Sequence, residues 1–407
     1  MNPASSMFPR EIPPTAGLPA QWGDFLGPRD GTLESGLARF LGVPETQIEC
    51  SGMAAFVVAL ETLKRRSSRR SVVIPAYTCP TVLLAIQQAG LAVTLCDIQR
   101  DNFAFDADAL RDCTGSDTLC VVPTHLAGIV SDLSDTLEIA KQAGAFVIED
   151  AAQSLGATWR GEPAGTYGDI GLFSLSVGKG LTLFKGGFLV ARDPDIRAAL
   201  RETGEQIVPA NTAAEIVRCV ELLGYRAFYN PRGLHFTYGR NLRRWLARGH
   251  PERAVGDVFE GPIPIHRVSG FRKSAGARAL PRLRQWISES SARARTRIAM
   301  LETIPGIDIV RDLPESEGTW PFIMVLFREE KQCAAALARL WTAGLGVTKL
   351  FVRALPDYEF LKPGVPAASV PNARSVAARH LTISNSPWLN DNDFARIFDV
   401  VSACARD

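Results

Sequence analysis

Long apolar runs are missing from this sequence, and no stretch reaches the ~18 residues that a membrane-spanning helix needs. The first residues, MNPASSMFPREIPP, contain no apolar core of the kind found in secretion signals. A large excess of one charge is missing too, since 45 basic residues face 43 acidic ones and leave a formal net charge of +2. The sequence therefore predicts a cytoplasmic protein whose main partner is not nucleic acid.

Recognisable patterns of metal ligands are also absent. The eight cysteines form no CxxC pair, and the five histidines show no HExxH or similar spacing. We therefore expect scattered, reduced thiols and no catalytic metal. With 407 residues, of which 46% are hydrophobic and 22% charged, the chain is long enough to bury a large core, as soluble enzymes do.

Short apolar runs alternate with helical patterns over residues 31–192, after an N-terminal arm at 1–30 that is rich in proline and glycine. The predicted strands are Ser71–Ile74, Leu91–Asp97, Leu119–Pro123, Ala145–Asp150, Ile170–Ser174 and Gly187–Ala191. Their nearly continuous apolar character predicts an α/β fold with a mainly parallel sheet and helices on both faces. Ligands bind such sheets at the carboxyl ends of the strands.

The character of the chain changes after about residue 194, because residues 195–265 have a helical pattern and many arginines. The later predicted elements are a strand at Thr319–Phe327 and helices at Lys331–Ala343 and Asn392–Ala405. We predict that residues 31–265 form a large ligand-binding domain, which includes the arginine-rich stretch. Residues 285–407 are predicted to form a smaller α+β domain.

Three short motifs are candidates for chemistry. Asp150 ends a buried strand, where its carboxylate could serve a ligand or simply cap the next helix. Lys179 lies between two glycines, which permit close approach of a ligand, although a solvated loop lysine is the common alternative. Ser51, Gly52 and Met53 open an apolar helix whose N-terminus could bind an anion or be an ordinary capped end.

Together the three motifs match the needs of one cofactor. Pyridoxal 5'-phosphate requires an amine for a Schiff base, a carboxylate beside its ring nitrogen and a helix N-terminus for its phosphate. The sequence supplies these in the order phosphate cup, acid and lysine. A lysine that has lost its proton through desolvation is nucleophilic enough for the first role.

Six stretches of the chain resemble the DegT/StrS-type aminotransferases, the sugar aminotransferase branch of the fold-type-I pyridoxal phosphate enzymes. They are CSGMAAFVVAL, VVIPAYTCPTVLLAI, VVPTHLAGIVSDL, VIEDAAQSLGA, GDIGLFSLSVGKGLTLFKGG and LTISNSPWLNDNDFARI. They are spread over most of the chain. The most specific features are EDAAQSLGA and the four-residue spacing between the Phe-Ser pair and the lysine.

The resemblance implies a role for each matching position. Lys179 would be the Schiff-base lysine and would carry the proton during transfer. Asp150 would pair with the pyridine nitrogen, and Gln153 would hydrogen-bond the ring hydroxyl. The phosphate would be held by the helix start and a strand end, at Gly52, Met53 and Ser174.

The sequence departs from the family pattern at three cofactor contacts. Where the family has an aromatic residue that stacks on the ring, this chain has Cys79, so either Tyr77 or the thiol packs there. Met53 stands where many members have threonine, and it keeps only its backbone N–H as a donor. Gly270 replaces an asparagine that reaches the neighbouring subunit's site in many members. The family still implies a homodimer.

Residues 224–253 contain seven arginines with aromatic residues between them. Such a segment could approach an anionic substrate, such as a nucleotide diphosphate or a lipid-linked sugar at a membrane surface, through Arg243 and Arg244. We prefer the interpretation of a solvated helical pair with its own aromatic core. His125, at a strand end, could contact substrate or make a structural hydrogen bond.

The resemblance thus implies a pyridoxal-phosphate-dependent aminotransferase with a ping-pong Schiff-base mechanism. It would move an amino group from a small-molecule donor, glutamate by family analogy, to a keto-sugar that is nucleotide-linked. Two alternatives stay open. One is transfer to a non-sugar ketone or aldehyde in a biosynthetic cluster, and the other is a cofactor-binding regulatory protein without turnover.

Overall fold

A computed structural model of the chain describes residues 9–28 and 31–406. The first eight residues of the predicted arm, together with residues 29, 30 and 407, lie outside the described part. Among the described residues, no helix is both long and apolar enough to cross a membrane.

The regular elements of the described part follow one another as strands and helices through most of the chain. The strands are β1 Gln47–Glu49, β2 Ser71–Pro75, β3 Ala92–Cys96, β4 Thr118–Val121, β5 Phe146–Asp150, β6 Thr158–Trp159, β7 Glu162–Pro163, β8 Ile170–Ser174, β9 Gly187–Val190, β10 Ile307–Ile309, β11 Ser316–Glu317, β12 Phe322–Phe327, β13 Val347–Thr348 and β14 His380–Ser384. The α-helices are α1 Leu33–Leu41, α2 Gly52–Arg66, α3 Pro80–Gln88, α4 Ala107–Cys113, α5 Ser134–Ala143, α6 Pro194–Ile207, α7 Thr212–Phe228, α8 Pro231–Leu234, α9 Arg240–Leu246, α10 Pro251–Val255, α11 Gly270–Ala279, α12 Leu283–Leu301, α13 Glu330–Leu340, α14 Pro371–Arg379 and α15 Asp391–Arg406. Short 3-10 turns lie at Trp22–Phe25, Leu280–Arg282, Leu355–Asp357 and Glu359–Gly364, and a π-helical turn lies at His235–Gly239.

The larger sheet of the described chain has seven strands in the order β1-β9-β8-β5-β4-β2-β3. The five strands from β8 to β3 in this order run parallel to one another. At the other edge, β9 and β1 are antiparallel to their neighbours. This arrangement confirms the predicted α/β class with a mainly parallel sheet.

Helices cover both faces of the larger sheet because its central strands are apolar on both sides. Val72 and Ile74 of β2 join a core that includes α2 and α3. Val73, which lies between them, joins a separate core with α4 and α5. Since successive side chains of a strand point to opposite faces, a continuous apolar run buries two cores at once.

A second, antiparallel sheet is built by the later part of the chain, with four strands in the order β10-β12-β14-β13 among the described residues. All six residues of β12 are buried. Leu337 of α13 and Ile397 of α15 belong to the core of this sheet. The smaller C-terminal α+β domain is therefore confirmed, while the predicted boundaries of the two domains, 31–265 and 285–407, stay predictions.

The described part of the arm, residues 9–28, connects the two sheets. The N–H of Ala16 donates to the carbonyl oxygen of Pro321, just before β12, over 2.8 Å. The N–H of Leu18 donates to the carbonyl oxygen of Gly180, in the loop after β8, over 2.8 Å. The arm is extended apart from one 3-10 turn, and it ties the smaller sheet to a loop of the larger one.

Helices α6 to α10 occupy much of the stretch predicted as helical at 195–265, but residues 256–269 form no helix. Gly256 and Gly261 adopt φ values of +85° and +82°, which end the helical path. Pro262 and Pro264 follow, and each lacks the N–H that a helix interior requires. The result is an extended segment whose Ile263 and Ile265 pack against the core that the larger sheet shares with α2 and α3.

Candidate active site

A cavity of about 570 Å³ opens where the carboxyl ends of β2, β4, β5 and β8 meet. The predicted site residues that line it are Gly52, Met53, His125, Asp150, Gln153, Ser174 and Lys179. Its other walls are mainly apolar and include Leu350 and Phe351 from the region of the smaller sheet. The structure therefore brings together residues that the sequence placed in separate motifs.

Lys179 lies in the loop between β8 and β9, where the arm packs against it. Gly178 has a φ of +77°, and a Cβ there would collide with the Thr15 hydroxyl. A Cβ at Gly17 would lie 2.9 Å from the carbonyl oxygen of Lys179. Burial lowers the pKa of Lys179, while Cys79 and Asp150 act in the opposite direction. The amine is thus held in a defined loop and sheds its proton more easily than a solvated lysine.

Asp150 is the last residue of β5, and its buried side chain faces the cavity. Its Oδ1 accepts a hydrogen bond from the N–H of Ala152 over 3.0 Å. Burial raises the pKa of Asp150, and the nearby Lys179 and His125 oppose that shift. A cation placed in the cavity would favour the ionised carboxylate in the same way.

Glu149, the neighbour of Asp150, points to the other side of the strand, as the alternation of side chains requires. Its fully buried carboxylate accepts hydrogen bonds from the backbone N–H groups of Gly165 over 2.8 Å, of Tyr167 and of Gly168. The Nε2 of His125 lies 3.1 Å from the same carboxylate. Glu149 therefore holds the fold, while Asp150 serves the cavity.

The start of α2 forms one end of the cavity. The Ser51 hydroxyl caps the helix by accepting from the N–H of Ala54 over 2.9 Å. The backbone N–H groups of Gly52 and Met53 belong to the first turn, which has no intrahelical acceptors for them. A Cβ at Gly52 would lie 3.4 Å from the Cβ of Ser174, so the strand end and the helix start are in close contact. This is an anion-binding arrangement.

The side chain of Gln153 is held in place through its amide oxygen. The side-chain Oε1 accepts a hydrogen bond from the N–H of Ala127 over 3.0 Å. The carboxamide is thereby oriented, and its NH₂ group is available to donate towards the cavity that Gln153 lines. This is the donor that a ring hydroxyl or phenolate would need.

The residues of the cavity fit pyridoxal phosphate in chemistry as well as in position. The hydroxyls of Thr78 and Thr124 are buried and have no hydrogen-bond partner among the described residues, although both residues line the cavity. Buried polar groups are normally hydrogen-bonded, so unpartnered hydroxyls in a cavity wall indicate a polar ligand. With an amine, an acid and a helix N-terminus in the same walls, the donor set matches this cofactor.

The structure separates the two candidates for stacking on the ring. Cys79 lines the cavity, and its Sγ lies 2.9 Å from the Thr81 hydroxyl. Tyr77 does not line the cavity, because its hydroxyl is bonded to the His380 ring over 3.1 Å and to the Phe351 carbonyl oxygen over 3.2 Å. The geometry favours Cys79 for this place.

His125 is fully buried, and both of its ring nitrogens are engaged. Its Nδ1 accepts from the N–H of Ser131 over 3.1 Å, which leaves the proton on Nε2 to be shared with Glu149. These contacts agree with the structural alternative for His125. Its contact with substrate stays a prediction.

Arg243 and Arg244 lie on α9, outside the lining of the cavity. Arg243 forms an ion pair with Glu11 at 2.7 Å, and its Nε donates to the Thr342 carbonyl oxygen over 3.2 Å. Arg244 is exposed. The structure thus shows a structural use for Arg243 and does not bring the pair to the predicted site.

The cavity residues that the sequence analysis missed include the charged side chains of Lys185, Arg218 and Asp257. Burial raises the pKa of Asp257 to about 6, and its carboxylate accepts from the N–H of Val352 over 2.9 Å. Lys185 lies within the stretch GDIGLFSLSVGKGLTLFKGG, so the sequence could have indicated it as a candidate site residue. Arg218 and Asp257 lie in stretches without a recognisable motif and reach the cavity only through the tertiary fold.

A second cavity, of about 650 Å³, lies beneath the arm and contains several arginines. Arg278 donates to the carbonyl oxygen of Gly27 over 2.6 Å, and Arg282 forms an ion pair with Asp24 at 2.6 Å. These side chains fasten the arm to α11 and the turn after it. We assign this cavity a structural role.

Comparison with known proteins gives one family match and several relatives. Residues 15–225 match the model of the DegT/DnrJ/EryC1/StrS aminotransferase family. The chain is 25% identical to the dTDP-3-amino-3,4,6-trideoxy-alpha-D-glucose transaminase of Streptomyces venezuelae over 377 residues, which cover 92% of this chain and 87% of that relative.

Other matches are shorter. Protein MosB of Rhizobium meliloti is 34% identical over 152 residues, or 37% of this chain and 30% of MosB. The L-glutamine:2-deoxy-scyllo-inosose aminotransferase of Streptomyces fradiae is 28% identical over 231 residues, or 52% of this chain and 54% of that enzyme. The chain therefore spans less than two thirds of the length of these two relatives.

Solved structures show the same fold. The S. venezuelae protein DesV, solved in complex with a ketimine intermediate, superimposes with a TM-score of 0.69 at 23% identity, over 94% of this chain and 90% of DesV. The PLP form of Spr1654 from Streptococcus pneumoniae gives a TM-score of 0.73 at 18% identity, over 97% and 99% of the two chains. At this level of identity the likeness concerns the fold.

Proposed function

The chain belongs to the DegT/DnrJ/EryC1/StrS aminotransferase family, and from this premise we propose that it is a pyridoxal-phosphate-dependent aminotransferase that acts on a keto-sugar. The observation that carries the proposal is the meeting of Lys179, Asp150 and the N-terminus of α2 in one cavity. The proposed donor is glutamate, and the proposed acceptor is nucleotide-linked, as the name of the full-length S. venezuelae relative suggests.

Lys179 and Asp150 have distinct tasks in the proposed reaction. When bound, pyridoxal phosphate supplies an aldehyde for covalent attachment and a ring that accepts electrons from the substrate carbon. The Lys179 amine, with its lowered pKa, would first make that attachment and then hold and move a proton at Nζ. The buried Asp150 carboxylate would keep a proton on the ring nitrogen.

A second acceptor class is supported by two observations. The S. fradiae relative is named for an inosose, which is a cyclic ketone and not a sugar. The cavity lining also includes apolar side chains, among them Leu84, Ile263 and Phe351, which suit a ring with few charges. We therefore keep transfer to a non-sugar ketone as the alternative function.

The half-reaction with glutamate tests the proposed function directly. We expect the purified protein to bind pyridoxal phosphate and to lose the visible absorbance of the lysine-bound cofactor when glutamate is added. A nucleotide-linked keto-sugar should then restore it, whereas an inosose should do so if the alternative acceptor is correct. A protein that binds the cofactor but shows no change with any amino donor would be the regulatory protein instead.

We also propose that the active form is a homodimer that pairs through α7. Ile216, Val217, Val220 and Leu223 form one stripe on this helix at helical spacing, and all four are exposed in the single chain. Arg218 of the same helix lines the cavity. A second copy seated on this stripe would therefore lie beside the site, and contiguous exposed apolar surface commonly marks such an interface.

Replacing Val220 by glutamate should convert the dimer to monomers, because a charge would be buried in an apolar interface. Val220 is 63% exposed in the single chain, so the variant should fold normally. Met300→Glu, at a 43% exposed position on α12, is the matched control and should stay dimeric. Light scattering coupled to size-exclusion chromatography measures the mass, and a Val220→Glu dimer as tight as the wild type would contradict the proposed interface.

A further inference from the structure

Two cationic side chains, Lys185 and Arg218, line the same cavity as the start of α2. In the antiparallel pairing of β1 with β9, Glu49 lies opposite Gly187. Lys185 precedes Gly187 by two residues and lies just before β9 begins. A Cβ on Gly187 would lie 2.5 Å from the backbone nitrogen of Gly52, which confirms how close β9 approaches this helix end.

The charges around Lys185 and Arg218 are not balanced. Arg218 is paired with Glu221 at 2.5 Å, one turn further along α7. Among the described residues, Lys185 has no ion pair. Burial and the like charge of Arg218 lower its pKa, and the Glu221 carboxylate opposes that shift. Two cations therefore face one carboxylate, and like charges kept close together beside a cavity favour an anionic ligand.

A third cation nearby, Arg272, is neutralised by an ion pair with Glu215. Arg272 is fully buried, and its guanidinium is bonded to the Glu215 carboxylate, with Nε donating to Oε2 over 3.0 Å. Its Nη1 donates to the carbonyl oxygen of Lys185. Arg272 thus supports the backbone of Lys185 but leaves the charge at the cavity to Lys185 and Arg218.

The helix start by itself offers a weak site for a dianion. A phosphate monoester carries a charge of about −1.5 to −2 at neutral pH. Gly52 and Met53 contribute only backbone N–H groups, Ser174 contributes a neutral hydroxyl, and the thioether of Met53 cannot donate. Charge-assisted bonds from ammonium or guanidinium groups are roughly twice as strong as neutral ones.

We propose that Lys185 and Arg218 bind the phosphate of pyridoxal phosphate and supply the positive charge that the start of α2 lacks. This inference rests on the proposed function, since it concerns the same cofactor and the same cavity. The pair retains the cofactor between the two halves of the reaction, when no covalent bond holds it to the protein.

The test measures cofactor affinity in the absence of turnover. The apoprotein is titrated with pyridoxal phosphate and, separately, with pyridoxal, which lacks the phosphate, and binding is followed by absorbance and by quenching of tryptophan fluorescence. We expect Lys185→Gln and Arg218→Gln each to weaken binding of pyridoxal phosphate about tenfold, or ~1.4 kcal/mol. Their affinity for pyridoxal should stay at the wild-type value, and Lys185→Arg should restore most of the loss.

Arg240→Gln is the matched control, because Arg240 is an exposed cation of α9 outside the cavity lining and its loss should change neither affinity. Equal weakening of pyridoxal and pyridoxal phosphate would overturn the inference, since the pair would then act on the fold. Unchanged cofactor affinity with a raised KM for an anionic acceptor would also overturn it and assign the pair to substrate. If the wild-type protein binds neither compound, the proposed function itself fails.

Discussion

Replacing Lys179 by alanine is expected to lower the rate of amino transfer by at least about 10⁴-fold, the upper range for loss of a general acid–base group. Lys179 would provide both the covalent attachment and the moving proton. Its amine interacts electrostatically with Asp150 and Cys79, whereas Lys185, the other lysine of the cavity lining, interacts with Arg218 and Glu221. The rate of the single-turnover reaction with glutamate is the measurement. Added methylamine should restore part of that rate, because a small amine fits the space of the lost side chain.

Lys362→Ala serves as the control for this prediction. Lys362 is an exposed lysine paired with Glu359 at 2.5 Å and lies in a turn away from the cavity lining. It should transaminate at the wild-type rate. A Lys179→Ala protein that turns over as fast as this control would refute the proposed function, whatever cofactor it contains.

Asp150→Asn should reduce the rate of the same half-reaction by about 10²- to 10³-fold, the range found when one electrostatic contact to a reacting group is removed. The asparagine keeps the shape and the bond to Ala152 but cannot carry the negative charge that holds a ring proton. Cofactor binding should persist, because the amine and the phosphate cup are intact. Single-turnover kinetics at several pH values separate the loss of rate from any loss of affinity.

Glu149→Gln is the informative comparison because it changes the adjacent residue on the same strand. Its carboxylate accepts from the N–H groups of Gly165, Tyr167 and Gly168, and an amide nitrogen would face one of these donors unpaired. We expect this variant to be destabilised by about 2–3 kcal/mol, the cost of an unsatisfied buried group, and to lower Tm. If Asp150→Asn lost stability and Glu149→Gln lost activity, our division of roles between them would be reversed.

Much of the larger sheet could be predicted because its strands are locally distinct. The run Ile170–Ser174 was placed correctly from its apolar side chains alone. The strand predicted at Thr319–Phe327 begins only at Phe322, since Trp320 has a φ of +51° and Pro321 lacks an N–H for the ladder. The short strand Gln47–Glu49 could not be seen in the sequence, because its pairing with β9 is what makes it a strand.

The site residues that could be predicted are likewise those that local sequence identifies. Lys179, Asp150 and the start of α2 each lie in a motif whose chemistry can be recognised over a few residues. Asp257 reaches the cavity because two positive-φ glycines and two prolines turn its segment away from a helical path. Arg218 reaches it because α7 packs against α11 and the loop between β8 and β9. These positions depend on tertiary packing, so the local sequence pattern does not predict that Asp257 and Arg218 line the cavity.

The contact between Gly17 and the backbone of Lys179 has a consequence for folding during synthesis. The ribosome releases the arm early, whereas the lysine loop emerges after six strands of the larger sheet have been made. Closing so long a loop costs much conformational entropy until the intervening chain has folded. We therefore expect the contact between Gly17 and Lys179 to form late in folding. Because Lys179 lies in this late contact, we expect the proposed cofactor to attach only after the two sheets have folded.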